Sequence, residues 1–418
     1  MVKKVVNKIK MDLNNKINIC NLINSRQAEG ILIKHPSNVF YITGYSGEDC
    51  YLFMSKNGVA NLYVDGRYYE RAVNETVKNI IGYNNINDDD KYRSVNNADI
   101  NIKYIQNYKN KNTINIKCFK ELYKDIASNL KSEFKLKSKN IILFESLYFT
   151  YEEYLGFKKE LKDFKLMPAH NLLLKLRSFK TEEEIKNIKK AVSIAERSMS
   201  YAIKNITESF ISGKKITELD VANNYKINLL NFGSSENAAF ETIVLKAERS
   251  AMPHGVPLDG NIINDGKDNI LLCDFGAKYN HYNSDETVTL FFGTPDRKFI
   301  DIYETVYAAQ QLAISSIKPG LKFCELDKIA RDYIGKKGYG QYFTHSLGHG
   351  VGLDIHEYPY VSFKNEDIIQ EGMVFTIEPG VYIEGFGGVR IEDMCLVAKD
   401  GAEIITTIKK DKISRFIE

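Results

Sequence analysis

Asn269-Ile-Leu-Leu-Cys-Asp-Phe-Gly-Ala-Lys-Tyr-Asn-His-Tyr-Asn-Ser-Asp-Glu-Thr-Val-Thr-Leu-Phe-Phe292 is the stretch on which the reading of this chain turns. Two runs of β-forming residues flank a connection that holds Gly276, Asn280 and Asn283, which reads as a hairpin. Both runs carry acidic residues. Asp274 interrupts the apolar first run, and Asp285 stands at the head of the second. Burying an unpaired charge costs several kcal/mol, so such a side chain needs a cation or hydrogen-bond donors. On a hairpin the two carboxylates are expected to face each other across the ladder.

Further along, the arrangement recurs. Val374-Phe-Thr-Ile-Glu378-Pro-Gly380 places Glu378 after apolar residues, and Gly388-Val-Arg390-Ile-Glu392-Asp-Met-Cys-Leu-Val397 adds Glu392. Ile383-Glu-Gly-Phe-Gly-Gly388 joins them as a second hairpin. Arg390 and Glu392 are two apart, so on a strand they share a face. Between the two hairpins lies the glycine-rich, histidine-dense Thr344-His345-Ser-Leu-Gly-His349-Gly-Val-Gly-Leu-Asp-Ile-His356-Glu. Five of the seven histidines (254, 281, 345, 349 and 356) fall within about a quarter of the length. Four carboxylates and one imidazole brought together would hold two divalent cations, because carboxylates can bridge a metal pair. An oxygen-rich set with a single nitrogen suits Mn²⁺, with Co²⁺, Zn²⁺ or Fe²⁺ also compatible. Tyr282 and Thr287 are expected to reach the groups around the ligands. His281 reads as an exposed turn residue, and His35 and His170 as structural.

The whole chain sets the frame. Its 418 residues exceed the ~250–300 at which a single core stops growing, so two domains are expected. Lys plus Arg number 57 against 54 Asp plus Glu, a net charge of +3 that offers no footprint for nucleic acid. No run approaches ~18 apolar residues, so no membrane span is expected. The N-terminal residues lack the apolar core of a secretion signal, and six scattered cysteines contain no C-x-x-C pair. A cytoplasmic protein with reduced thiols is the expectation.

Two halves read differently. The spacing predicts strands at Gly30–Lys34, Val39–Ile42, Cys50–Met54, Ala60–Val64 and Asn140–Phe144, with helical patterns from Arg67 and over Thr150–Leu161. Strands alternating with helices indicate an α/β domain. Tyr83–Lys117 is nearly low-complexity, and Asp88-Asp89-Asp90 within it reads as a solvated loop. Thr181-Glu-Glu-Glu184 is a capping box opening a helix with an apolar face through Ile185, Ile188, Val192, Ala195 and Met199. A second helix runs through Ile302, Val306, Ala309, Ala313 and Ile317 and stops at Pro319-Gly320. Antiparallel strands follow from Gly372 to Val397. The boundary falls at 172–180, giving domains 1–172 and 173–418.

These segments resemble the metallopeptidases that include aminopeptidase P, prolidase and methionine aminopeptidase. Asp274, Asp285, His349, Glu378 and Glu392 match the family's metal ligands in order, framed by G-H-G-x-G-L-x-x-H-E (348–357), I-E-P-G (377–380) and R-I-E-D (390–393). Upstream, Ser37-Asn-Val-Phe-Tyr-Ile-Thr-Gly44 and Val64-Asp-Gly-Arg-Tyr-Tyr69 look like the creatinase-type N-terminal domain. Methionine aminopeptidases lack that domain and the R-I-E-D setting. The resemblance therefore implies an α/β (α+β) chain with a creatinase-like, RNase H-like first domain and a pita-bread catalytic domain, commonly dimeric.

It further implies hydrolysis of the bond between an N-terminal residue and proline by a metal-bridging hydroxide. Proline's nitrogen carries no hydrogen, so the site must act on the carbonyl and the free amine. The implied roles are Glu378 as general base, His356 at the reacting carbonyl, His254 as a further catalytic group, and His254, His345, His356 and Arg390 along the substrate. Structural alternatives are His345 orienting His349, and Arg390 pairing with Glu392 or Asp393. An Xaa-Pro aminopeptidase is the first reading, with proline dipeptidase as its alternative. An inactive metal-stabilised binding protein is the reading from another class, and the complete ligand set opposes it. Two departures from the family pattern bear on substrate preference: Val288 where arginine is common, and Leu245-Lys246-Ala247 where small residues are usual.

Overall fold

The computed structural model describes residues 18–76, 93–96, 99–103, 113–133, 140–236, 238–265 and 269–410. The chain divides into two compact units, Met1–Leu176 and Arg177–Glu418.

The first unit is built on an eight-stranded mixed sheet. Its strands are β1 (Gly30–Ile33), β2 (Cys50–Ser55), β3 (Val59–Asp65), β4 (Arg93–Asn96), β5 (Asp99–Lys103), β6 (Thr113–Phe119), β7 (Ile141–Phe144) and β8 (Lys165–Pro168), in the order β4-β5-β6-β3-β2-β1-β7-β8. Its central strands are buried on both faces, with successive residues alternating between two cores. Ile31, Ile33, Leu52, Met54, Leu62 and Val64 point to one core, and Leu32, Tyr51, Phe53 and Tyr63 to the other. Helices α1 (Pro36–Thr43) and α2 (Tyr69–Thr76) cover the first face; α3 (Leu122–Glu133) and α4 (Tyr151–Glu160) cover the second.

One expectation needs correction. Val39–Ile42 is helix, not strand: Pro36 occupies its first position, where a missing N–H costs nothing, and Gly44 closes it at φ 71°. The nearly low-complexity stretch contributes β4, β5 and part of β6; Ile114 and Ile116 are buried in the sheet. Asp88–Asp90 lie outside the described residues.

In the second unit one plan appears twice. Helices α5 (Glu182–Ser212) and α6 (Glu218–Asn231) pack on a sheet ordered β13-β10-β9, made of β9 (Ile243–Lys246), β10 (Asn269–Phe275) and β13 (Glu286–Phe292). Helices α7 (Arg297–Ser316) and α8 (Phe323–Lys336) pack on a second sheet ordered β15-β14-β16-β19-β20. That sheet comprises β14 (Gly348–Gly350), β15 (Glu357–Val361), β16 (Val374–Ile377), β19 (Asp393–Ala398) and β20 (Gly401–Ile404). Two short ribbons complete the unit: β11 (Lys278–Tyr279) with β12 (Tyr282–Asn283), and β17 (Gly380–Ile383) with β18 (Gly387–Arg390). Thr181 caps α5 in the reciprocal arrangement its sequence announces, taking the Glu184 N–H while Glu184 takes its own. Among the described residues no helix is long and apolar enough to cross a membrane.

Candidate metal centre

The antiparallel register of β10 and β13 sets the site. Asp274 stands opposite Thr287, not Asp285, so the expected face-to-face carboxylates are offset by two residues. The connection is longer than a simple hairpin. It folds into the β11–β12 ribbon, which turns at Asn280 and His281, both at positive φ. His281 is partly buried there, not exposed as expected.

Alternation along the strand then places Asp285, Thr287 and Thr289 on one face. Thr289 Oγ1 bonds the Arg390 backbone in both directions, at 2.8 and 3.1 Å, and the Glu392 N–H donates to the Thr287 carbonyl at 3.2 Å. The segment that carries Arg390 and Glu392 is thereby laid along β13. Thr287 Oγ1 donates to Glu392 Oε2 at 2.6 Å and accepts from Arg390 Nε at 3.1 Å. Val288 faces the opposite way, into the core shared with Cys273 and Val244. Its departure from the family pattern therefore does not reach the site.

On the second sheet, β14 supplies His349 and the end of β16 supplies Glu378. Thr376 Oγ1 accepts the His349 N–H at 3.0 Å and lies 3.0 Å from Glu378 Oε1, to which it donates. The Glu378 N–H donates to Leu347 O at 2.8 Å. His349 Nδ1 is 3.2 Å from the Gly350 carbonyl, which can only accept, so Nδ1 carries the hydrogen and Nε2 is left with its lone pair. That nitrogen lies 3.5 Å from Asp285 Oδ2 and 3.3 Å from Glu378 Oε1. Donor atoms of Asp285, His349 and Glu392 all fall within 4.8 Å of one another. Asp274 joins the cluster through Arg390, whose Nη2 donates to Asp274 Oδ2 at 2.6 Å.

Four carboxylates crowd around a single buried guanidinium. Burial, and then the neighbouring carboxylates, push Asp285 and Glu392 well above the usual carboxylate range; burial likewise raises Glu378. Burial lowers His349 and His345 as imidazolium acids, and burial with the adjacent His349 brings His356 down to about 4. The raised carboxyls describe acidic charge that the surrounding protein groups do not fully compensate, and the lowered imidazoles follow from burial. Asp274 Oδ1 and Glu392 Oε1 are buried and accept no hydrogen bond. Buried oxygens without donors, beside an imidazole nitrogen held in ligand form, fit divalent cations.

The remaining histidines ring this cluster. His345 donates through Nδ1 to Ser346 O at 2.7 Å, and its Nε2 meets Tyr382 Oη at 2.9 Å. Tyr382 Oη also accepts from Arg390 Nη1 at 3.0 Å, forming a chain from guanidinium to phenol to imidazole. Thus His345 orients Tyr382 instead of His349, and Arg390 pairs with Asp274 instead of Glu392 or Asp393. The His356 ring meets the His349 ring edge to face, centroids 4.2 Å apart. His254 is exposed, follows a residue whose carbonyl is 3.4 Å from Arg390 Nη1, and lies near enough to act on the charge of His356.

The nine residues read as ligands or substrate-side groups are thus brought to one region. Thr376 and Tyr382 were not read from the sequence; a hydroxyl within apolar strand residues carries no pattern to single it out. The Tyr282 hydroxyl donates to Glu184 on α5 at 3.1 Å. Lys246, in the second departure, turns away to Asp265 and Ile262 O, each at 2.7 Å. His35 stacks on Tyr148 and His170 bonds Ser146, both in the first unit.

Comparison with known proteins agrees with this architecture. Metallopeptidase family M24 matches residues 186–399, and the creatinase/prolidase N-terminal domain matches residues 18–179. An Xaa-Pro dipeptidase of Pyrococcus furiosus is 36% identical over 381 residues, 91% of this chain and 94% of the relative. An Xaa-Pro dipeptidase structure from Bacillus anthracis superposes with TM-score 0.78 at 31% identity, covering 96% of this chain and 99% of its own. An X-Pro aminopeptidase from Thermotoga maritima gives TM-score 0.76 at 28% identity, covering 94% and 98%. The expected two-domain α/β fold, creatinase-type followed by pita-bread, is the fold of these proteins.

Proposed function

The chain belongs to metallopeptidase family M24, and from that premise we propose that it is an Xaa-Pro dipeptidase, releasing proline from Xaa-Pro dipeptides. That it is a metallo-exopeptidase follows from the family and its relatives. The choice of dipeptidase over the aminopeptidase first expected is carried by one observation: a relative similar along almost the full length of both chains is an Xaa-Pro dipeptidase.

Asp274, Asp285, His349, Glu378 and Glu392 would hold two divalent ions, for which we propose Mn²⁺ on the strength of an oxygen-rich donor set with one nitrogen. Such ions, when bound, polarise a carbonyl and make water a nucleophile near neutral pH. The chain's own groups do the rest. Glu378, partly buried with Oε1 held by Thr376, is placed to take and return a proton. His356, kept neutral at ordinary pH and backed by His349, faces the substrate side with His254 and supplies a donor to the developing oxyanion. The Arg390–Tyr382–His345 chain fixes the opposite wall, and Arg390 fixes Asp274. None of these groups needs an N–H on the scissile nitrogen, the feature proline lacks. A homodimer in the cytoplasm completes the proposal; light scattering on purified protein tests the dimer.

The reading is tested by offering Mn²⁺-loaded protein an Xaa-Pro dipeptide and an Xaa-Pro-Yaa-Zaa tetrapeptide in parallel, with products read by mass spectrometry. Cleavage of the dipeptide alone is expected. Cleavage of the tetrapeptide at its first bond would replace dipeptidase by aminopeptidase.

A further inference from the structure

We propose that Arg177 and Lys180 are positioning residues for His356, acting through Glu357. The proposal rests on the reading of His356 as a substrate-facing group.

The residues 351–356 connecting β14 to β15 leave the metal-ligand strand just after His349 and return with His356 immediately before Glu357. The two neighbours point opposite ways: His356 is exposed, while the Glu357 side chain is 1% exposed. Two cations meet it. Lys180 Nζ lies 2.7 Å from Glu357 Oε1, and Arg177 Nη2 bonds Glu357 Oε2; both basic side chains are 1% exposed. Arg177 Nη2 also holds Asp354 Oδ2 at 2.8 Å, and the Asp354 N–H donates to Glu357 Oε2 at 3.2 Å. Two cations and two anions thus close a charge-balanced quartet directly behind the loop. Burial raises the Glu357 carboxyl, yet Arg177 and Lys180 outweigh it and hold the group below its ordinary value.

The anchor itself is fixed. Lys180 Nζ donates to Arg177 O at 2.7 Å, and the Lys180 N–H donates to Gly372 O at 2.8 Å. Asn283, two residues before the ligand Asp285, donates from its backbone and side chain to Gly352 O and from its side chain to Leu353 O, at 2.8–3.0 Å. Space is tight as well. A Cβ on Gly352 would lie 2.4 Å from Glu357 Oε1 and 2.9 Å from Lys180 Cε.

Buried ion clusters add little net stability over apolar packing of the same volume. What this one provides is direction: fixed hydrogen-bond vectors on Asp354 and Glu357 leave the His356 Cα little freedom, so its ring stays against His349. A reacting group displaced by about 1 Å can cost about 100-fold in rate.

The experiment compares Lys180→Met with wild type in the full, Mn²⁺-loaded chain. Lys180→Met is expected to lower kcat on an Xaa-Pro dipeptide about 10- to 100-fold with bound Mn²⁺ unchanged. In a His356→Ala background the same substitution is expected to change the rate by less than about 2-fold, since effects through one group do not add. Equal fold-losses in both backgrounds would overturn the proposal. The paired variant Lys180→Met/Glu357→Gln removes the uncompensated charge and serves if the single variant does not fold. A slow rate at wild-type Tm supports positioning, and a restored rate overturns it. A crystal structure of either variant gives a readout independent of turnover. Displacement of the His356 ring from its 4.2 Å contact with His349 is expected, and an unmoved ring contradicts the proposal. Absence of wild-type turnover would instead count against the dipeptidase reading.

Discussion

Thr287 and Thr376 do the same work on the two sheets. Each hydroxyl donates to a carboxylate of the candidate metal centre, and each accepts from a second group, the Arg390 guanidinium or the His349 backbone. Removing such an outer partner commonly costs about 10–100-fold in metal affinity. Thr287→Val, which keeps the shape and deletes the hydroxyl, is therefore expected to weaken Mn²⁺ binding by about that factor in calorimetric titrations, while Thr287→Ser retains it. Equal affinity in both variants would show the hydroxyl to be idle. At this scale the acids were legible because a carboxylate is anomalous among apolar β formers. The threonines were not, because threonine is an ordinary strand residue.

At the scale of elements, register decides what each motif residue can do. Asp285, Thr287 and Thr289 share the site face of β13, and Val288, paired with Cys273, faces the core behind it. Restoring the family's common arginine by Val288→Arg would bury a charge without a partner. It is expected to lower stability by several kcal/mol in urea titrations while the order of preference among Xaa-Pro dipeptides stays as it was. A changed preference at unchanged stability would mean that β13 is registered otherwise. The α5 cap belongs here too: Thr181→Ala is expected to cost about 1 kcal/mol in the same titration.

Most helices and strands around the site were readable from period and caps. The Thr181 box closes as its spacing predicts, and a second box, at Thr150, caps the helix expected there without having been read from the sequence. Val39-Phe-Tyr-Ile42 misled because its residues favour strands while Pro36 and Gly44, the true delimiters, set a helix between them. In the asparagine-rich stretch, Asp99-Ile-Asn-Ile-Lys103 and Thr113-Ile-Asn-Ile-Lys117 do alternate as strands do. Repetitive composition obscured that period, and β6 is settled by pairing with β3, a contact no local pattern reveals.

For the molecule as a whole, the acidic centre makes stability depend on pH and metal together. Asp285, Glu378 and Glu392 have native carboxyls raised first by burial, and burial lifts Glu286 beside them to about 8 despite its bond to Lys410. Without metal the native state therefore binds more protons than the unfolded chain, whose carboxyls titrate near 4–4.5. The stability these groups contribute is present in acid and lost as pH rises through their raised values, which for Glu286 means toward about 8. Bound cations favour the ionised form and oppose that loss. The Tm gap between Mn²⁺-loaded and stripped protein is accordingly expected to widen with rising pH in thermal melts. A constant or narrowing gap would contradict this charge assignment.

The central claim is that these five residues form a metal centre whose loading confers Xaa-Pro hydrolysis. It is tested most directly by turnover of an Xaa-Pro dipeptide as Mn²⁺ is titrated into stripped wild type and stripped Glu392→Gln, with bound metal measured in the same samples. Wild type should gain activity as metal binds and level off near two equivalents, while Glu392→Gln binds less and stays slow at matched occupancy. Turnover that ignores metal content, or a Glu392→Gln protein as active as wild type, would contradict the account.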